Sequence, residues 1–522
     1  MTRQIVLYDT TLRDGTQGEG LSFSVADKLK IARKLDDLGI QYIEGGWPGA
    51  NPKDSEFFAR AKSLTLDEAR LCAFGSTRRA GGRAGDDPNL NALIEAQTPA
   101  ICLVAKASLF QVRKMLETTA EENLAMIADS VAHCKAHGRE VFLDAEHFFD
   151  GFFAHPDYAL AALRTAAEAG ADCLVLCDTN GGTLTDKLAA AVSRVCAALD
   201  VPIGIHTHND ADLAVANTLA AVAAGVGHVQ GTINGYGERC GNANLCSIIP
   251  NLVLKMGIPC VGEQQLGKLT EVSHYISEGA NLPPNIKLPY VGASAFAHKA
   301  GIHVNAVLKD SVSYEHIAPA LVGNDRRVLV SELGGKSNVL HKARFFGLDL
   351  SNHSAKVRAT VEAVKRLEAQ GFQFENAEAS FELLLRRAQD DYVPPFELLD
   401  FLVLVEKRIA KDILAEATVK IKVGDEIMHT AAEGNGPVNA LDAAMRKALL
   451  RFYPELARVH LVDYKVRVLD NSSGTGAIVR VSIESSDGVH SWSTVGGSTN
   501  IIEASWWALA DSLEYALSKW GL

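Results

Sequence analysis

In the first half of the chain, short apolar runs alternate with stretches of a different period. The runs are IVLYD (5–9), YIEGG (42–46), LCAF (71–74), ICLV (101–104), VFLDAE (141–146), CLVLCD (173–178), IGIHTH (203–208) and HVQGTI (228–233). Runs this short and this apolar read as buried strands. The stretches between them, among them SVADKLKIARKLDDLG, ENLAMIADSVAHCKAHG, DYALAALRTAAEAG and ADLAVANTLAAVAAG, are amphipathic at helical spacing. Several end in glycine, the usual residue just past a helix C-terminus. Eight strands, each followed by a helical stretch, predict parallel βα units closing into a (β/α)8 TIM barrel within an α/β fold. An open doubly wound sheet is the alternative; no G-x-G-x-x-G turn follows the first strand to favour it.

From about 260 to 410 the pattern is mostly helical, with proline breaks at LPPNIKLP and DDYVPPFE. After about 415 it changes again: TVKIKVGDE, VHLVDYKVRVLD, GAIVRVSIES and HSWSTVGG alternate apolar and polar residues, as half-buried antiparallel strands do. PVNALDAAMRKALLRFY and NIIEASWWALADSLEYALSKW are helical stretches interleaved with them. The expected organisation is a barrel over 1–260, helical linker subdomains over 261–415 that contribute to the active site, and a C-terminal α+β domain over 416–522.

Composition narrows the function. A chain of 522 residues with 47% hydrophobic and 22% charged residues is ordinary globular material for two or three domains. The net charge of −12 comes without a Lys/Arg cluster interleaved with aromatics, so nucleic acid is not an expected partner. No signal-like segment and no apolar stretch near the ~18 residues of a membrane span are present, and a cytoplasmic location is expected. The nine cysteines contain no C-x-x-C pair, which suits free, mostly buried thiols in a reducing compartment.

Barrel enzymes carry their chemistry where strands end and βα loops begin. The first strand runs into Arg13-Asp14-Gly15, a guanidinium beside a carboxylate. The seventh ends in His206-Thr207-His208; residues two apart on a strand point to the same side, so both imidazoles can face one ion. After the eighth comes NGYGERCGN, whose glycines let backbone approach a ligand and whose Asn242 offers a neutral oxygen. Asp14, His206, His208 and Asn242 together make a mixed O/N site with open positions. Such a donor set suits Mn²⁺, Mg²⁺, Zn²⁺ or Co²⁺, and ligand type does not choose among them. A 2-oxo acid is the natural bidentate partner for the open positions. Arg13 is then suited to stabilising negative charge developing at its ketone oxygen.

The segments DTTLRDGTQ, HTHND with LAVANTLAAVAAG, and INGYGERCGNANL resemble the isopropylmalate, homocitrate and citramalate synthase family of metal-dependent barrels. The likeness extends through AFAHKAGIHVNAVLKD and YEHI to GGSTNIIEASWWALADSLE, and so covers nearly the whole chain. It implies an acyltransferase that condenses acetyl-CoA with a 2-oxo acid. Asp14, His206 and His208 match the family's metal ligands, with Asn242 at or beside the metal. Thr179 matches a threonine that binds the 2-oxo acid carboxylate, and Gln17 and Arg13 join it at the substrate. Glu146 matches an acidic active-site residue, and His303 and Tyr314 match a catalytic pair from the helical subdomain, in the same chain or across a homodimer. The last domain resembles the family's regulatory domain. Its loops DNSSGTGA (470–477) and VGGSTNIIEAS (495–505) are candidates for gripping a branched-chain amino-acid effector.

Three departures from the isopropylmalate pattern, IEGGWPGANPKD (43–54), HVNA (303–306) and CDTNGG, look like the citramalate branch, whose acceptor is pyruvate and whose pathway leads to isoleucine. A larger 2-oxo acid with the same chemistry is the alternative. Acyl-CoA lyases of the same barrel are a second class; they carry a Cys in a GCPYA-like loop, where this chain has INGYGERCGN.

Overall fold

The computed structural model describes residues 5–350, 353–407, 413–469 and 474–522. Eight parallel strands close a barrel in chain order: β1 (Val6–Asp9), β2 (Tyr42–Gly46), β3 (Arg70–Ser76), β4 (Ala100–Lys106), β5 (Glu140–Glu146), β6 (Cys173–Asp178), β7 (Ile203–Thr207) and β8 (His228–Gly231). The ring shuts where β1 pairs with β8, Val6 opposite His228 and Asp9 opposite Gly231. The period of two along each strand sorts side chains between two cores. Leu7, Ala73, Leu103, Leu143, Leu174 and Ile205 point outward into the layer shared with the helices. Their neighbours Tyr8, Cys72, Cys102, Phe142, Val175 and Cys177 fill the interior. All nine cysteines are free, and Cys240 is the exposed one.

The chain divides into two compact units, 1–296 with 317–325, and 297–316 with 326–522. The region read as helical linker subdomains (261–415) is therefore shared out between the two units. Helix Leu269–Gly279 belongs with the barrel, and Lys336–Phe345, Ser354–Ala369 and Glu378–Arg387 belong with the second unit. A two-residue parallel pair, β9 (Ala297–His298) and β10 (Arg327–Val328), also lies in the second unit.

The strand-rich part begins earlier than residue 416. Strand β11 (Glu397–Lys407) pairs antiparallel with β12 (Ile413–Val423), and β12 with β13 (Glu426–Gly434), before helix Pro437–Leu449. The plan then repeats with β14 (His460–Val468), β15 (Val479–Ser486), β16 (Ser491–Ser498) and helix Ile501–Trp520. The reason β11 escaped the pattern is physical. It is an edge strand whose one face, with Leu398, Phe401 and Val403, packs on the core. Its other face is also apolar but uncovered, Leu402 at 65% and Leu404 at 55% exposure, so apolar residues fall on both faces and the alternation is lost. Residues 470–473 of one candidate effector loop lie outside the described residues. Among the described residues no helix is long and apolar enough to cross a membrane.

One buried ion pair fixes the loop after β2. Helix α1 (Val25–Asp37) starts on Ser24 and Asp27 in a capping box, and α2 (Pro52–Ala61) starts on Asn51, which accepts from Lys53 N. From α1, Lys28 Nζ reaches Asp54 Oδ1 on α2 at 2.5 Å and donates to the Gly45 carbonyl at 3.1 Å. The second carboxylate oxygen of Asp54 accepts from Trp47 N at 2.9 Å. Both side chains are almost fully buried. Lys28→Met leaves Asp54 as an uncompensated buried charge, and urea unfolding should register a loss of about 3–5 kcal/mol, much of it recovered in Lys28→Met/Asp54→Leu. A loss under about 1 kcal/mol, the scale of a surface pair, would contradict the burial.

Candidate active site and metal centre

The C-terminal ends of the barrel strands surround a cavity of about 290 Å³. Arg13, Asp14, Gln17, Glu146, Thr179, His206 and His208 all line it, so seven of the residues selected from sequence meet in one place. Asn242 is buried next to them, joined to His208 by a backbone bridge. His303 and Tyr314 pack on each other, ring centres 4.2 Å apart, on exposed positions of the second unit.

The turn after β1 is built by Asp9. Its carboxylate accepts from Thr11 N at 2.9 Å and Thr11 Oγ1 at 2.7 Å, and Thr11 Oγ1 accepts in turn from Ile233 N on the loop after β8. That lock sets Arg13 and Asp14 facing inward. Opposite, the loop after β8 needs its glycines. Gly241 has φ +88, and a Cβ there would meet the carbonyl oxygen of Gly235. The fold-back this allows brings Asn242 against His208.

Ligand atoms of Asp14, His206 and His208 lie within 4.8 Å of one another. His206 Nε2 is 3.3 Å from Asp14 Oδ2 and 3.3 Å from His208 Nε2. His206 Nδ1 sits 2.8 Å from Gln230 Oε1, and Gln230 Nε2 donates to Asp144 Oδ1 at 3.0 Å. Because an amide oxygen only accepts, Nδ1 carries the His206 hydrogen and Nε2 presents a lone pair to the cluster. Asp14 Oδ1 and Asn242 Oδ1 are buried without any hydrogen-bond partner. Converging lone pairs and orphaned buried oxygens are costly unless a cation satisfies them. The donor set, oxygen and imidazole with no thiolate, fits a hard or borderline divalent ion.

The electrostatics point the same way. Burial by itself pushes the Asp14 carboxyl up, but the Arg13 guanidinium and the two imidazoles outweigh it and hold the carboxyl well below the usual range. Burial, and then the neighbouring His206, bring His208 down to about 4, so this imidazole is neutral and its lone pair free near neutral pH. Burial also pulls His206 down, but the Asp14 hydrogen bond and charge favour its protonated form and raise it, so at Nε2 a cation competes with a proton for the lone pair.

Four residues near the site were not singled out from the sequence. Glu44 on β2 takes Arg13 Nε at 2.5 Å on one oxygen and Tyr8 OH at 2.6 Å on the other, and so fixes the guanidinium. Asp144 and Gln230 orient His206 as described. Lys106 at the end of β4 forms an ion pair with Glu146. The signal for the first three was present as polar residues at inward positions of apolar strands. Thr179 Oγ1 accepts from His147 N at 2.8 Å, which leaves its own hydrogen to donate into the cavity. Arg239 braces the rim, donating to the Thr179 carbonyl at 2.8 Å and to Asp210 at 2.7 Å.

Gln230→Leu removes the acceptor that sets the His206 tautomer. Calorimetric titration with Mn²⁺ or Co²⁺ should show affinity about 10–100-fold weaker than in the parent chain. Unchanged affinity would remove Gln230 from the metal centre.

Residues 4–276 match the HMGL-like family model. Residues 290–371 match the homocitrate synthase post-HMGL domain, and 375–517 the LeuA allosteric (dimerisation) domain. The chain is 54% identical over 516 residues to the (R)-citramalate synthase of Geobacter sulfurreducens, covering 99% of this chain and 98% of that one. It is 51% identical over 521 residues to the (R)-citramalate synthase of Aquifex aeolicus, covering 99% of each. The 2-isopropylmalate synthase of Methanocaldococcus jannaschii is 31% identical over 522 residues, covering 99% of this chain and 95% of that one. The chain belongs to the HMGL-like family and, within it, to the (R)-citramalate synthases.

Proposed function

We propose that this enzyme condenses acetyl-CoA with pyruvate and water to give (R)-citramalate and free CoA. The observation that carries the reading is the convergence of Asp14, His206 and His208 beneath Arg13, in a chain closely similar along its length to (R)-citramalate synthases. Asp14, His206, His208 and Asn242 would hold a divalent cation, which when bound supplies Lewis acidity at the acceptor's ketone oxygen. Arg13, kept in one orientation by Glu44, donates toward that oxygen as it takes on negative charge and becomes the tertiary hydroxyl. The Thr179 hydroxyl donates to the acceptor's carboxylate, with Gln17 beside it. We assign removal of the acetyl methyl proton to His303, with Tyr314 against its ring, by similarity to the family. The resulting carbanion attacks the ketone carbon, and water then cleaves the thioester. Glu146 is the acidic group available for proton transfer at the cavity wall.

The second unit is the proposed regulatory and dimerising part. Its match to a LeuA allosteric (dimerisation) domain supports this, as do the uncovered apolar residues of β11 and β14, such as Leu402 and Val462 at 60–65% exposure. Residues Ser498, Thr499 and Glu503 of the remaining candidate loop border a cavity of about 450 Å³ with Phe372 and Phe374. A carboxylate beside apolar walls suits a branched-chain amino acid, and isoleucine is the effector expected for a pyruvate acceptor.

Two measurements test these readings. The full chain, given acetyl-CoA and pyruvate, should release free thiol. Chelation should abolish the release and Mn²⁺ restore it, and Arg13→Lys should lose at least ~100-fold in turnover because a point charge cannot replace the planar fork. Full activity of metal-free protein would sink the mechanism. For the second unit, sedimentation should give twice the chain mass and isoleucine should slow thiol release. A monomer indifferent to isoleucine would refute the regulatory assignment.

A further inference from the structure

Part of the cavity lining is apolar, and one residue in it belongs to the IEGGWPG segment that sets this sequence apart. Trp47 is half-buried and lines the cavity with Phe74 and Val104. Its ring meets Phe74 edge-on, centroids 5.4 Å apart at 81°, and the Arg13 guanidinium lies 3.8 Å over the same Phe74 ring. The indole is pinned at its polar end. Nε1 donates to Asn89 Oδ1 at 2.7 Å, and Asn89 Nδ2 donates to the Ser76 carbonyl at 2.7 Å, tying Trp47 to α3 (Pro88–Glu95) and to the end of β3. Its backbone is pinned as well, through Trp47 N to Asp54. The two preceding glycines make room for this. A Cβ on Gly45 would run into the Phe57 ring, and Gly46 sits at φ +147 against the Asp54 carboxyl. A large aromatic side chain is thus held at both ends over a small cavity.

We propose that Trp47 is the specificity-determining residue that limits the acceptor to a one-carbon substituent. This rests on the reading of the site as one for 2-oxo acids. An acceptor whose ketone and carboxylate oxygens engage the polar wall of Arg13, Thr179 and the metal-binding residues turns its remaining substituent to the apolar wall of Trp47, Phe74 and Val104. A methyl group fits against a fixed indole. A branched substituent needs the indole to move, and the hydrogen bond to Asn89 and the contact with Phe74 oppose that movement. Overpacking a fixed aromatic wall penalises each added carbon, and single-carbon discrimination in apolar pockets is worth about 10–200-fold in rate.

The test compares kcat/KM for pyruvate, 2-oxobutanoate and 3-methyl-2-oxobutanoate in the full-length parent and in Trp47→Ala, Trp47→Phe and Asn89→Ala, each first checked for its unfolding midpoint. The branched-to-pyruvate ratio should rise at least about 10-fold in Trp47→Ala. It should rise less in Trp47→Phe, and also in Asn89→Ala, which frees the indole without removing it. An unchanged ratio in folded Trp47→Ala overturns the proposal. If that variant does not fold, an unchanged ratio in both Trp47→Phe and Asn89→Ala overturns it instead. A parent enzyme that turns over 3-methyl-2-oxobutanoate better than pyruvate overturns the acceptor assignment itself, and that result is read without any variant.

Discussion

Negative charge buried at the mouth of the barrel is the constraint around which this molecule is organised. Asp14, Glu44 and Asp144 are each at most 4% exposed. Burial pushes the carboxyls of Glu44 and Asp144 above their ordinary range, and Arg13 pulls against it in both. One guanidinium offsets one charge. The rest of the compensation is distributed: Tyr8 donates to Glu44, Gln230 donates to Asp144, and His206 and His208 crowd Asp14. A dication held by the Asp14 cluster would add the positive charge this arrangement lacks.

The closed parallel barrel makes that concentration possible. Inward positions recur every second residue, and register places Glu44 on β2, Asp144 on β5, His206 on β7 and Gln230 on β8 around one interior. Below them the same inward positions carry Tyr8, Cys72, Cys102 and Phe142, which exclude water from beneath the polar layer. The interior is thus a dry plug with a charged cap. Charges in such a place interact far more strongly than at the surface, and preorganised groups gain accordingly.

Legibility followed the same physics. The eight strands were readable because a parallel sheet is buried on both faces and leaves unbroken apolar runs. His206 and His208 were readable because a strand's period of two converts spacing directly into a shared direction. Glu44, Asp144 and Gln230 were not, although each interrupts an apolar strand. Which inward polar residues meet depends on the shear of the closed ring, a property no single strand carries. His303 and Tyr314 lie on a helix and beyond a 3-10 turn, and nothing in an eleven-residue separation encodes a ring contact. Only family similarity pointed to them. Strand β11 was lost for a different reason: its covered face, Leu398, Phe401 and Val403, alternates with exposed residues that are apolar too, so burial leaves no polar-apolar signature on its sequence.

This division also separates what is hard from what is easy to change in such an enzyme. The polar wall is a connected network in which Arg13, Glu44 and Tyr8 on one side and His206, Gln230 and Asp144 on the other satisfy one another. Removing any member strands a buried partner, at about 1–3 kcal/mol or more. The apolar wall has less of this coupling: the Arg13 guanidinium lies over the Phe74 ring, but Phe74 and Val104 have no polar side-chain atoms to leave unpaired, and Trp47 has one, bonded to Asn89. Substitutions there change volume without stranding a buried charge, while the hydrogen-bonded network stays intact. In the proposed reading, a chemistry shared across 2-oxo acids has its acceptor chosen by a few side chains outside that hydrogen-bonded network.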